Sequence, residues 1–215
     1  MSKPVLLLAI DTSGKDGSIA LASCQGDDCQ MLGLASLDGG AFSAQLVPQI
    51  AVLLKGHGFT KSDIDAFAVA SGPGSFTGLR VGLAAIKALA EVLNKPIATV
   101  SLLEAIAANA HEPIVAAMDA GRKEIYARQR DGSESLLSQE EFLTVSRGRL
   151  ILTPDKSVAD LARAVDCKVE EVARPRSDAV ARLGWRKIQS GQTVLPDAMD
   201  ANYLRRSDQI FAKRS

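Results

Sequence analysis

Short apolar runs separated by polar breaks dominate the N-terminal part of the chain. Three such runs follow one another: VLLLAIDTS at 5–13, SIALASC at 18–24 and MLGLASL at 31–37. Glycines and paired aspartates lie in the breaks, a combination that favours turns between short strands. The pattern therefore predicts an antiparallel meander of three strands. Over residues 42–58 the apolar spacing becomes helical, with Pro48 expected in the first turn.

An alternation of strands and helices follows, and it contains a glycine-rich stretch. The run IDAFAVA at 64–70 predicts a strand, SGPGSFTGLR at 71–80 a tight loop, and residues 76–93 a helix. A further strand is predicted at 96–101. The resulting order, β-β-β-α-β-α-β, is typical of one ribonuclease-H-like lobe of an actin-type fold.

The beginning of the chain has a counterpart in its middle. AIDTSGKDGSIAL at 9–21 and AMDAGRKEIYARQ at 117–129 both combine an apolar strand, an aspartate, a small polar turn and a second apolar strand. Asp11 and Asp119 occupy the same place in the two segments. Such a match at the start of each half favours an internal duplication.

The duplication predicts a two-lobed α/β fold of the actin-like, ribonuclease-H-like class, in which each lobe is a mixed sheet flanked by helices. We expect an N-terminal lobe at residues 1–101 and a C-terminal lobe at 102–215. The pattern weakens after residue 131, so the second lobe is expected to be abbreviated and partly degenerate. Its predicted elements are a strand at 149–154 and helices at 157–165 and 177–191.

Charge and composition exclude several classes of protein. The 25 basic and 25 acidic residues balance. Residues 1–120 carry 7 basic and 11 acidic side chains, and residues 121–215 carry 18 and 14, so each part departs from neutrality by only four charges. This asymmetry is too mild for an autonomous nucleic-acid-binding protein. No apolar run approaches the ~18 residues that a membrane span requires, and no signal peptide is predicted.

The cysteines and histidines do not predict a metal site. Cys24, Cys29 and Cys167 are odd in number and lack Cys-x-x-Cys spacing, which favours reduced cytoplasmic thiols over disulfides or zinc ligation. His57 and His111 are far apart in sequence, so both are expected to be structural.

The glycine-rich loop raises the question of nucleotide binding. Gly72, Gly74 and Gly78 are spaced one residue too widely for the dinucleotide fingerprint, and Leu79–Arg80 replaces the Lys-Ser/Thr of a P-loop. Simple nucleotide capture by this loop is therefore disfavoured. The alternative is a tight turn in which Ser75 caps the following helix.

The helix after this loop carries small residues where larger ones would be more stable. Gly78 and Gly82 lie four residues apart and, with Ala85, form a stripe with little side chain. Glycine is unfavourable inside a helix, so some neighbouring group is expected to require the space. We expect that group to be a partner helix. Gly82→Leu should then leave the isolated protein nearly as stable while weakening association.

The two repeated aspartates and the C-terminus leave alternatives open. Asp11 could coordinate a metal ion or a water molecule beside a phosphate, or it could simply cap its turn. In the first case, replacing it with Ala should leave folding largely intact. The basic C-terminal segment, residues 204–215, is either a solvated tail or a contact for RNA or an acidic partner.

Several of these segments resemble one protein family. The stretches LLLAIDTSGKDGSIALAS and SGPGSFTGLRVGLAAIKALA closely resemble the bacterial TsaB (YeaZ) family, and the resemblance continues through AAMDAGRKEIYAR and ANYLRRSD, weakly between 131 and 195. The resemblance implies an actin-like fold and a non-catalytic dimerization subunit of the complex that makes N6-threonylcarbamoyladenosine at position 37 of tRNAs reading ANN codons. A TsaD-type paralogue transfers the threonylcarbamoyl group, and a TsaE-type ATPase acts on the pair.

The resemblance also implies partners and a surface. It implies a heterodimer with a TsaD-type subunit, a capacity to form a homodimer when the protein is alone, contact with tRNA only through the complex, and a cytoplasmic location without membrane attachment. It implies no cofactor and no metal, with ATP or ADP at most at the interface with partners. The residues it places at the interface are Phe42, Ser43, Leu46, Val47, Ile50, Leu53, Leu54, Ser75, Phe76, Gly78, Leu79, Gly82, Ala85, Ile86 and Leu89; vestigial phosphate contacts would be Asp11, Ser13 and Asp119.

This chain departs from the family pattern at two points. Phe42 stands where many relatives have a histidine, and LTPDK at 152–156 replaces a Gly-x-Gly turn. The missing glycines weaken the case for ATP binding by this subunit alone. The alternative function is an actin-fold kinase or phosphatase that acts on small molecules through Asp11, Asp119 and magnesium. A metallopeptidase is disfavoured because no pair of histidines is present.

Overall fold

The computed structural model describes residues 3–108, 110, 114–199 and 204. His111 and, apart from Leu204, the basic C-terminal segment therefore lie outside the described residues. Ten strands are present in the described part of the chain: β1 Val5–Asp11, β2 Gly17–Gln25, β3 Asp28–Leu37, β4 Ala66–Gly72, β5 Ile97–Ser101, β6 Ile114–Gly121, β7 Glu124–Arg128, β8 Glu134–Ser138, β9 Leu150–Thr153 and β10 Lys168–Glu171. The α-helices there are α1 Phe42–Gly56, α2 Phe76–Leu93, α3 Leu102–Ala107, α4 Gln139–Ser146, α5 Lys156–Arg163 and α6 Ser177–Gln189.

The first five strands form one mixed sheet in the order β3-β2-β1-β4-β5. The β1–β2 and β2–β3 pairs are antiparallel, as expected of a meander, whereas β4 and β5 add in parallel. The central residues of β1 are buried on both faces, so the sheet is covered by helices on both sides. The predicted order of elements for residues 1–101 is confirmed.

The second sheet repeats the first. Its strand order is β10-β9-β6-β7-β8. When β6, β7, β8, β9 and β10 are matched in turn with β1, β2, β3, β4 and β5, this order is the same as that of the first sheet read from its other edge. The directions agree as well, because β6 pairs antiparallel with β7 and parallel with β9. Helix α4 occupies the place of α1 in the chain, and α5 that of α2. The internal duplication and the two-lobed α/β class are thus confirmed.

The second sheet has its own apolar core and its own helix caps. Its core consists of Val115, Ala117, Ile125, Ala127, Phe142, Ile151, Val158 and Ala162. Helix α4 begins with a capping box, in which the Ser138 hydroxyl accepts from the Glu141 N–H and the Glu141 carboxylate accepts from the Ser138 N–H. These bonds, the backbone N–H of Ser138 first and then its hydroxyl, lower the pKa of Glu141.

Helix α6 does not belong with the second sheet, contrary to the predicted division at residue 102. The chain forms two compact units: residues 175–199 belong with residues 3–102, whereas the second unit takes the described residues between Leu103 and Arg174. Gly184 of α6 leaves no room for a side chain above Ala68 of β4. Ala68 pairs with Ala9, while α2 approaches the neighbouring residue Ile10. Because successive strand residues face opposite sides, α6 and α2 cover opposite faces of the first sheet.

Helix α2 lies unusually close to the turn that follows β1. Ser75 caps the helix as predicted, because its hydroxyl accepts from the Gly78 N–H at 3.2 Å. A Cβ atom at Gly78 would collide with the Thr12 carbonyl oxygen, and one at Gly82 with Thr12 Oγ1. The Thr12 hydroxyl also donates to the Gly78 carbonyl at 2.8 Å. The expectation that these glycines admit a partner helix is therefore wrong, since the space is occupied by the same unit.

Two further expectations need correction. Pro48 is the seventh residue of α1, not part of its first turn, so it removes one hydrogen bond from within the helix. Cys24 and Cys29 lie directly opposite each other on β2 and β3, and the structure joins them in a disulfide. Cys167 is free. The spacing of the cysteines in the sequence did not indicate this pairing. It arises because the turn between β2 and β3 places the two residues opposite each other.

We predict that Gly82→Ala lowers the free energy of unfolding of the isolated protein by about 1–3 kcal/mol, because the new Cβ would collide with Thr12. Chemical denaturation monitored by circular dichroism measures the change. Gly56→Ala at the end of α1 is a matched control, since a Cβ there meets nothing within 4 Å. The control should be neutral or slightly stabilising. Equal stabilities of the two variants would contradict the packing described here.

Candidate functional site

Helix α1 is apolar on its outer face as well as on its inner one. Its buried residues are Phe42, Leu46, Ile50 and Leu54, at the expected helical spacing. The opposite side exposes Ala44, Val47, Pro48, Ala51 and Val52, with Val47 60% and Val52 65% exposed. The helix contains a single charged residue, Lys55. A helix that only covers a sheet normally presents polar side chains to water.

Helix α2 continues this surface. It packs against α1 and exposes Ala84, Ala88 and Val92, the last of which is 76% exposed. Val81 and Leu89 are half-buried at the margin. The charged side chains follow one strip of the helix: Arg80 is 4.2 Å above the Phe76 ring, Lys87 pairs with Asp197, and Glu91 is exposed. We define the α1–α2 face as the exposed residues Ala44, Val47, Pro48, Ala51, Val52, Ala84, Ala88 and Val92.

The predicted interface residues divide into three groups on these helices. Those that lie buried beneath the helices are Phe42, Leu46, Ile50, Leu54, Gly78, Leu79, Gly82 and Ile86. Those that are half-buried are Leu53, Phe76, Ala85 and Leu89, and those that are exposed are Ser43, Val47 and Ser75. Contact of this surface with a partner stays a prediction. The strongest apolar periodicity marked the side that faces the sheet, so the exposed alanines and valines of the α1–α2 face were mostly missed.

One signal for the outer face was present in the sequence. Besides its inner apolar stripe, α1 has no acidic residue and only one basic residue among fifteen. A helix that is short of charge on every side is either fully buried or part of an interface.

The Asp11 side chain lies inside the turn that follows β1. It is 6% exposed, and its Oδ1 accepts from the Ser13 N–H at 2.9 Å and from the Ser13 hydroxyl at 2.6 Å. The Ser13 carbonyl in turn accepts from the Ser75 N–H at 2.7 Å. This arrangement is an Asx turn that connects β1 to the start of α2. The geometry supports the capping role of Asp11. It therefore argues against the expectation that replacing Asp11 with Ala leaves folding largely intact.

Asp119 makes the equivalent turn in the second unit. Its Oδ1 accepts from the Gly121 N–H at 2.7 Å, and its Oδ2 accepts from the Ser157 hydroxyl at 2.7 Å. Its own N–H donates to Asp155 at 2.8 Å. Unlike Asp11, Asp119 is exposed to solvent. The two aspartates therefore share a local role, each within its own unit.

A pocket of about 160 Å³ opens beside the β6–β7 hairpin of the second unit. Carboxylates, cations and apolar side chains all line it: Asp119, Gly121, Arg122, Lys123, Glu124, Ile125, Gln139, Ser157, Val158 and Leu161. The mixed charge favours neither an anion nor a cation. Within the described ranges, no three His, Cys, Asp or Glu side chains are grouped so that they could hold a metal ion, and no helix there is long and apolar enough to cross a bilayer.

We predict that Asp11→Ala lowers the free energy of unfolding by about 1–3 kcal/mol, because two donors of Ser13 lose their buried acceptor. Thermal unfolding of the isolated protein measures it. Asp119→Ala is the matched control and should cost less, since water reaches the corresponding donors. Asp11→Asn keeps an acceptor oxygen and should recover part of the loss. Unchanged melting of Asp11→Ala would show that the carboxylate is not needed for the turn.

Comparison with known proteins places the chain in a family. The family model described as "TsaD: tRNA N6-adenosine threonylcarbamoyltransferase" matches residues 39–180. The protein named "tRNA threonylcarbamoyladenosine biosynthesis protein TsaB" from Haemophilus influenzae is 36% identical over 128 residues, covering 57% of this chain and 52% of that protein. The TsaB of Escherichia coli is 27% identical over 227 residues, covering 93% and 94%.

Coverage of the relatives is uneven. The match spans 36% of an uncharacterized Mycobacterium leprae protein and 60% of its relatives in other mycobacteria. Among solved structures, YeaZ from Pseudomonas aeruginosa superposes with a TM-score of 0.75 at 24% identity, covering 93% of this chain and all of that one. The matched part of the chain includes residues of both units. The chain thus belongs to the TsaB (YeaZ) family of proteins related to the TsaD threonylcarbamoyltransferases, and it has their actin-like α/β fold.

Proposed function

We propose that this protein is an accessory subunit in the biosynthesis of N6-threonylcarbamoyladenosine at A37 of ANN-decoding tRNAs. In this role it binds a TsaD-type subunit and activates its transferase, and a TsaE-type ATPase acts on the assembled pair. Named TsaB relatives support the pathway. The observation that supports the binding role is the α1–α2 face, which is apolar, nearly free of charge and exposed in the isolated chain.

The composition of this face suits association with another helical surface. Its alanines let a second backbone approach closely, and Val47, Val52 and Val92 each supply apolar area that is mostly in contact with water. Burying such area contributes roughly 25 cal/mol per Å². Contiguous exposed apolar surface of this kind usually marks an interface. In the absence of a TsaD-type partner, the same face would support a homodimer.

The two repeated aspartates support a non-catalytic role. Both carboxylates accept hydrogen bonds within their own turns, and Asp11 is buried while doing so. A kinase or phosphatase that relies on Asp11 and Asp119 with magnesium is accordingly less well supported. We propose that ATP or ADP binds at most at the interface with partners, that tRNA is reached only through the complex, and that the protein acts in the cytoplasm.

We predict that Val47→Arg weakens binding to the organism's own TsaD-type subunit at least about tenfold, because a desolvated charge would lie within an apolar contact. Isothermal titration and light-scattering mass measure the affinity and stoichiometry. Val165→Arg is the matched control, since Val165 lies in the second unit and is 51% exposed, similar to Val47. Both variants should melt as the parent does, because neither side chain is in a core.

Two results would contradict the proposal. If Val47→Arg and Val165→Arg bound the TsaD-type subunit equally well, the α1–α2 face would not be the contact. If the purified protein alone turned over ATP with magnesium at an appreciable rate, and Asp119→Ala abolished that activity, the enzymatic alternative would be favoured.

A further inference from the structure

The tip of the β2–β3 hairpin brings two cysteines together at the place where α6 is attached to the first sheet. Cys24 and Cys29 are directly opposite each other, with Cα atoms 4.1 Å apart, and they enclose the turn Gln25–Asp28. Cys24 is fully buried, whereas Cys29 is 6% exposed. Strand pairing keeps the side chains of directly opposite residues close together, so the two thiols stay neighbours whether or not they are bonded.

Helix α6 donates three hydrogen bonds to this same tip. Trp185 Nε1 donates to the Gly26 carbonyl at 2.8 Å, and Gln189 Nε2 donates to the same oxygen at 2.5 Å. Arg182 donates to the Cys29 carbonyl at 3.4 Å. The conformation of the turn therefore determines whether its carbonyls are aimed at α6.

We propose that Cys24 and Cys29 form a reversible thiol–disulfide pair that controls how firmly α6 is held on the first sheet. In the oxidised form the bond fixes the turn, and Gly26 stays aimed at Trp185 and Gln189. In the dithiol form the turn samples more conformations, and the end of α6 is released more readily. The inference does not depend on the proposed function.

The chemistry requires a low-molecular-weight disulfide, such as oxidised glutathione, as oxidant. Cys29, the less deeply buried of the two, attacks it as a thiolate, forms a mixed disulfide and releases one glutathione thiolate. Cys24 then attacks the Cys29 sulfur, which forms the Cys24–Cys29 bond and releases the second thiolate. The two cysteine protons end on the two released glutathiones, so two protein thiols are oxidised as one small disulfide is reduced.

The experiment uses the full chain carrying Cys167→Ser, which removes the other thiol. After reduction, oxidised glutathione should lower the mass by two hydrogen atoms and yield a peptide linked through Cys24 and Cys29, and dithiothreitol should reverse both changes. The melting temperature of the oxidised form should be higher by about 3–8 °C, because the crosslink restricts the unfolded chain. Trp185 is the only tryptophan, so acrylamide should quench its fluorescence more strongly in the dithiol form.

Single-cysteine variants test the order of attack. With Cys24→Ser, the glutathione adduct should be trapped on Cys29; with Cys29→Ser, adduct formation on the buried Cys24 should be roughly tenfold slower. Failure of the parent to lose two hydrogens would overturn the proposal, and that measurement does not require the variants to fold. A reversible crosslink with identical quenching of Trp185 in both states would also overturn it, since α6 would then be insensitive to the pair.

Discussion

The contact between α2 and the turn after β1 organises the first unit. Gly78 and Gly82 allow the helix to lie against Thr12, whose hydroxyl donates to the Gly78 carbonyl. The same turn is held by Asp11 and connected to the helix start through the Ser13 carbonyl. With its inner side committed to this contact, α2 has its outer side available to a partner, where Ala84, Ala88 and Val92 are exposed beside Arg80 and Glu91. The tight packing of the inner side of α2 thus determines which of its residues remain on the surface of the protein.

The two units show what a duplicated sequence retains. Strand order, strand direction and the aspartate turn are the same in both. The close approach of helix and turn, however, has no second set of glycines, because α5 carries Val158 and Ala162 in its buried face. A pocket lies beside the hairpin of the second unit. Divergence has affected the helix–turn contact, whereas the sheet, which depends on backbone pairing, has been kept.

Much of this architecture was predictable from the sequence, and the errors share a cause. The alternation of apolar residues and the repeated aspartate predicted the first sheet and the strands β6, β7 and β9 of the second, since these depend on local periodicity. The strands β8 and β10 were not predicted, because their sequences are more polar. The role of Gly82, the unit that holds α6 and the pairing of Cys24 with Cys29 were not predictable, because each depends on which distant segment lies opposite. A glycine within a helix indicates that another group packs closely against it, but it does not identify that group. Periodicity likewise marked the buried side of α1, although the charge-poor opposite side was also readable.

The attachment of α6 to the first sheet has a consequence for synthesis of the chain. The sheet face that contains Ala68 is covered by α6, yet β5 ends at Ser101 and α6 begins only at Ser177. At typical elongation rates, roughly 4–15 seconds separate the emergence of these two segments from the ribosome. During that interval all five strands of the first sheet have been synthesised, but the helix that covers its Ala68 face has not. The second unit is translated in the same period. The first unit can therefore complete its fold only after the second unit has been synthesised.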